Sequence, residues 1–159
     1  SAAKRGERAA STEALAQAAA LWRAAQRLTE VRTLRERAWE ERLRAGADES
    51  LGRRAAASFE DYSPQDWAPA FADAALITAP AAARAPALLL QEAGRLDLAC
   101  PRLERLAVRS PSARAEVDAG VCAYLAGRKA QAAAAFRRAL KLDPGSQEAA
   151  SSLRAASAP

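Results

Sequence analysis

Two stretches of this chain superimpose without a gap. AGRLDLACPRLERLAVRSPSA (93–113) lies over AGRKAQAAAAFRRALKLDPGS (126–146), 33 positions further on. Identities fall on Ala93/Ala126, Gly94/Gly127, Arg95/Arg128, Ala99/Ala132, Arg105/Arg138 and Pro111/Pro144. A weaker third copy, WAPAFADAALITAP (67–80), puts Phe71, Ala74 and Ile77 where the last copy has Phe136, Ala139 and Leu142. A fixed period of about 33–34 residues marks an array of helical hairpins, in which each unit buries its apolar face only by stacking on its neighbours. Such arrays present surfaces and rarely carry chemistry, so the chain reads as a binding module.

Composition agrees with helices throughout. Half of the 159 residues are apolar, yet nearly a third of the chain is Ala and only 5% is aromatic. Ala has the highest helix propensity and loses no side-chain entropy. A core built from it requires helices packed close together. No alternating strand pattern occurs, so the expected class is all-α. The net charge is +5. Residues 1–54 hold 12 basic and 8 acidic side chains, 55–99 hold 2 and 6, and 100–159 hold 10 and 5. An acidic middle between two basic ends, with most Arg close to a Glu or Asp, argues against a nucleic-acid face, which needs positive charge clustered on one side. The Ala- and Arg-rich, Asn-free composition suggests a GC-rich bacterial genome. No apolar run reaches the ~20 residues of a membrane span, and no signal peptide is present. Absence of Met is expected of a chain cut from a longer protein or processed, so that the lack of an upstream signal, lipid anchor or transmembrane segment here means little.

The expected organisation has three parts: a frayed 1–10, a long amphipathic helix 11–45 capped by Ser11, and a hairpin array 46–159. Leu15, Ala18, Trp22, Ala25, Leu28 and Val31 recur at helical spacing. That stripe serves either as an N-terminal cap on the array or as a self-associating coiled coil. The irregular heptad, with Arg35 and Arg42 at positions that should be apolar, favours the cap. Gly46 ends this helix, and shorter helices follow at about 48–61, 64–78, 81–92, 96–109, 113–126, 129–142 and 146–157. Pro80, Pro111 and Pro144 each follow a helix end. Pro86 and Pro101 are expected in opening turns.

Residues 113–146 resemble a tetratricopeptide repeat. Gly120 stands where close helix approach needs a small residue, and Gly127 turns the hairpin. Ala132, Phe136, Ala139 and Pro144 follow at the family's spacing, ending in "RALKLDP". The first helix departs from the pattern, with Glu116, Ala119 and Ala123 in place of larger residues. The preceding unit keeps Gly94, Ala99 and Pro111 but has Leu103 and Leu106, and 48–79 matches only in its second helix. The resemblance implies a right-handed superhelix with a groove lined by the first helix of each pair, and a partner protein or peptide segment in it. By matched position the groove residues are Arg114, Val117, Val121, Tyr124 and Leu125, and one unit earlier Ala81, Arg84, Leu88, Gln91 and Glu92. Each has a competing reading as core. Arg84 and Arg114 at the margin suit a partner segment with acidic and hydrophobic residues. The family's two-carboxylate clamp for chaperone tails depends on Asn and Lys; here Asn is absent, and Lys129 and Lys141 lie outside the groove helices.

Enzymatic chemistry finds no support. The chain has no His, no Gly-rich phosphate loop and no C-x-x-C pair, so neither metal nor cofactor is expected. Acidic pairs such as Glu60-Asp61 and Asp48-Glu49 diverge on a helix and read as solvated faces. Cys100 and Cys122 each lie 11 residues from Pro111, at equal height on facing helices. They form either a disulfide, which would suggest the periplasm or another oxidising compartment, or two small core residues. The expected function is a non-enzymatic protein–protein interaction scaffold. The alternatives are self-association through residues 12–45, which would give a homo-oligomer, and an Arg-driven binder of nucleic acid or an anionic surface.

Overall fold

A computed structural model describes residues 16, 32–39, 41–44 and 49–159. The chain forms two compact units, 1–38 and 39–159. In the first, 32–38 are helical, with Arg32 and Glu36 paired at 3.6 Å across one turn. The Ser11 cap, the stripe through Trp22 and the break at Gly46 lie outside the described residues. In the second unit, 41–44 are helical (α1). Then follow α2 (Glu49–Ser58), α3 (Pro64–Thr78), a 3-10 turn (Pro80–Ala83), α4 (Arg84–Glu92), α5 (Leu96–Arg109), α6 (Ala113–Leu125), α7 (Lys129–Leu142) and α8 (Gln147–Ser157). Every described element is helical, and from α3 onward each packs on the next in the chain.

The repeat seen in the sequence is a repeat of backbone geometry. Gly94 and Gly127 take φ of 77° and 78°, in the left-handed region. Gly94 N–H donates to Gln91 and Gly127 N–H to Tyr124, both at 3.0 Å. Arg95 N–H donates to Leu90 and Arg128 N–H to Ala123, both at 2.9 Å. Substituting Ala at Gly127 will cost about 1 kcal/mol, because a Cβ disfavours this conformation while no neighbour lies within 4 Å to clash. A urea titration of Gly127→Ala measures it.

The third copy exists, but one residue out of the expected register. Helix ends at Ala79, Ser110 and Asp143 share a cap φ (−143°, −137° and −140°), each followed by Pro. Aligned on these caps, Ala68, Ala99 and Ala132 coincide, all with no exposed surface. Ala72, not Phe71, then stands over Leu103 and Phe136. Phe71 matches Phe136 in residue type, whereas the geometry is set by the Pro that ends each helix.

Other boundaries moved for local reasons. The helix expected at 48–61 stops at Ser58, where Phe59 turns inward to stack on Trp67 at 4.8 Å. The helix expected from 81 opens with the 3-10 turn, since Pro86 has no N–H for the Ala82 carbonyl. Gly52 of α2 packs so close to that carbonyl that a Cβ would overlap it. Pro101 stands sixth in α5 rather than in its opening turn, as Pro69 does in α3. The carbonyls they leave free belong to Asp97 and Gln65, both solvent-exposed.

Two apolar cores result. The first runs from Trp39 to Cys122 and holds the aromatic group Trp39, Phe59, Trp67 and Phe71, joined ring to ring at 4.8–6.3 Å. The second, from Val117 to Ala156, is mostly Ala around Phe136. Helix α6 divides them: Ala115, Ala119 and Cys122 face the first, Val117 and Ala123 the second. Gly120 lets α6 approach α7 until a Cβ there would lie 2.5 Å from the Phe136 ring.

Candidate partner-binding cleft

The residues expected to line a groove have mixed fates. Arg84 is committed inside the molecule. Its Nε donates to Asp118 Oδ2 at 2.7 Å and its Nη1 to Glu49 Oε1 at 3.0 Å, so it ties α4 to α6 and α2. The Asp118 hydrogen bond raises the guanidinium above its ordinary value against the opposing effect of burial. Arg114 pairs with Glu148 of α8 at 3.0 Å. Neither is the free margin cation that an acidic partner needs, and that expectation loses its basis. With Glu49, Ser110 and Ser112 they rim a recess of about 100 Å³, room for a few waters. Val117 is core at 3% exposure, corrected from groove to interior because α8 closes over that side of α6. Val121 packs half-buried on the second core and Leu88 on the first. Gln91 is half-buried, and its Oε1 is enclosed without a hydrogen-bond partner. Tyr124 and Leu125 are exposed, at 40% and 55%.

Cys100 and Cys122 are joined in a disulfide between α5 and α6, with Cα atoms 5.4 Å apart. Both residues are fully buried. Two acidic side chains of α6 are buried and paired: Asp118 with Arg84, and Glu116 with Arg138 at 3.1 Å.

The large concavity lies elsewhere. Helices α5 and α7 part, and between them α6 floors a cleft of about 710 Å³. Ala107, Ala119, Ala123, Ala134 and Ala135 make its apolar surface, and Glu104, Glu116, Arg138 and Lys141 its polar edge. Val108 and Leu142, exposed by 79% and 52%, stand on opposite walls. On α6 the cleft face (Glu116, Ala119, Ala123) is rotated roughly 130° from the expected groove face (Val117, Val121, Tyr124), at about 100° per residue.

Comparison of the two junctions explains why this one is open. One repeat earlier, α3 packs directly on α5. Arg102 and Arg105 both reach Asp73, at 2.9 and 2.8 Å, and Arg109 donates to the Leu76 and Ile77 carbonyls at 3.1 Å. In the register of the helix caps, α7 carries Ala135, Arg138 and Leu142 in place of Arg102, Arg105 and Arg109. The remaining Arg138 turns down to Glu116. Two of three arginines are missing, and among the described residues the ion pair left between α5 and the start of α7 is Arg128–Glu104 at 3.5 Å. The signal lies in the aligned repeats, in the residues the copies exchange rather than in those they share.

Among the described residues no helix is long and apolar enough to cross a membrane, and no cluster of His, Cys, Asp and Glu is placed to hold a metal ion. No protein-family model matches the chain, and no curated protein matches it.

Proposed function

We propose that this chain is a non-enzymatic protein–protein interaction module, a tetratricopeptide-like stack of hairpins that takes a partner segment between α5 and α7. The observation that carries the reading is the open α5–α7 junction beside a closed α3–α5 junction built on the same repeat. An apolar cleft walled by exposed Val108 and Leu142 and edged with charge has the make-up of a recognition surface. The matched hairpin turns at Gly94 and Gly127 support the tetratricopeptide-like architecture. The buried Cys100–Cys122 disulfide supports an oxidising compartment, such as the bacterial periplasm. The Arg-driven alternative gains no support from Arg128 and Arg138, which face Glu104 and Glu116. Self-association through residues 12–45 rests largely on residues outside those described.

Affinity capture from an extract of the source organism tests the reading. A protein retained by the wild type is expected to be lost on Val108→Asp/Leu142→Asp, by at least tenfold in affinity, or about 1.4 kcal/mol. It should be retained by Tyr124→Ala/Leu125→Asp, on the other side of α6. The reverse pattern would move the interface to the face first expected from the repeat.

A further inference from the structure

The cleft presents a defined set of acceptors. Aligned on the helix caps, Glu104 of α5 stands where α3 has Asp73, and the Ala107 and Val108 carbonyls stand where α3 offers those of Leu76 and Ile77. The prolines coincide too. Pro111 has no N–H for the Ala107 carbonyl, as Pro80 has none for that of Leu76. In the closed junction Arg109 donates to those carbonyls while Arg102 and Arg105 donate to Asp73, three arginines spaced by three and then four residues. In the open one, Leu142 replaces Arg109 and Ala135 replaces Arg102. Among the described residues Glu104 pairs with Arg128, at 3.5 Å, with both side chains over 40% exposed.

Resting on the interaction reading above, we propose that the occupant of the cleft is a helical segment of a partner protein bearing arginines on one face. These guanidinium groups bind Glu104 and the carbonyls at the end of α5, as α5's own arginines bind α3. Three features make this end of α5 cation-seeking: a half-exposed carboxylate, the Ala107 carbonyl that Pro111 cannot serve, and the negative end of the helix dipole. Small alanines on the floor let a helix backbone come close. On the opposite wall, Arg138 is already neutralised by Glu116 and Lys141 sits at the rim. The arginine face of the partner must therefore turn to α5, which fixes its orientation.

Three synthetic Ala-based helices titrated into the full chain by fluorescence anisotropy decide the matter. One carries Arg at the spacing of Arg102, Arg105 and Arg109, one carries Glu at the same places, and one carries the same arginines spread around the helix. The first is expected to bind at least tenfold more tightly than the other two, and to lose at least tenfold on Glu104→Gln, an exposed position whose thermal melt should not move. Equal binding of both arginine helices would reduce the effect to bulk charge and overturn the proposal. Preference for the Glu helix, abolished by Val108→Asp/Leu142→Asp, would overturn the arginine assignment while leaving the cleft as the interface. Binding of none, with capture of the natural partner still sensitive to that double variant, would do the same. If the free chain sediments as a dimer that Leu142→Arg dissociates, the occupant is a second copy, and the proposal falls.

Discussion

Replacing Cys100 and Cys122 together by alanine will lower the stability of the second unit by about 3 kcal/mol, the chain-entropy value for a loop of this size. The bond spans 22 residues and ties α5 to α6 inside the first core, to which both cysteines belong. The opposite face of α6, at Val117 and Ala123, begins the Ala-rich core around Phe136, so the crosslink holds the helix on which that core is built. Alanines bury little area each, and at about 25 cal/mol per Å² the second core is the weaker holder. Loss of the crosslink should therefore be felt most in α7 and α8. Equilibrium unfolding in urea reads the total, and hydrogen exchange reads its distribution. Faster exchange in α7 and α8 than in α2 and α3 is the expected pattern; a uniform loss would mean that the two cores unfold as one. Because both cysteines are fully buried, reductant should act on the native protein only through opening of the fold.

Arg84→Ala will cost about 3 kcal/mol. It leaves Asp118, 7% exposed, as a buried carboxylate without its cation, and frees Glu49 as well. The penalty belongs mostly to the stranded charge rather than to the bond, so Arg84→Met with Asp118→Leu should recover most of the loss. A double-mutant cycle in urea separates the two. If the double variant is no more stable than Arg84→Ala, the ion pair itself holds α2, α4 and α6 together, and the charge-stranding account fails.

The fold was legible in the sequence wherever chain chemistry is local. Gly94 and Gly127 turn hairpins because only glycine takes their φ cheaply, and Pro80, Pro111 and Pro144 end helices because they cannot continue them. Less legible were features set by contacts between helices. Phe59 leaves its helix to stack on Trp67, which no local propensity announces. Asp118 and Glu116 are buried because an arginine from another element meets each, at separations of 34 and 22 residues. Val117 lay on the face assigned to a groove, but α8 covers it. The cleft was the most hidden feature. Its cause is a difference between repeats, Arg102 and Arg109 against Ala135 and Leu142, while the repeat was recognised by its identities.

The most direct measurement restores the missing arginine in the molecule itself. Leu142→Arg places a guanidinium where Arg109 stands one repeat earlier, within the same helix register, at a position already exposed. Titration of the captured partner against wild type and Leu142→Arg, with a thermal melt of each, should show affinity down at least tenfold and a midpoint unchanged or raised. Undiminished affinity in a folded variant would contradict the assignment of the α5–α7 cleft as the place where this chain meets its partner.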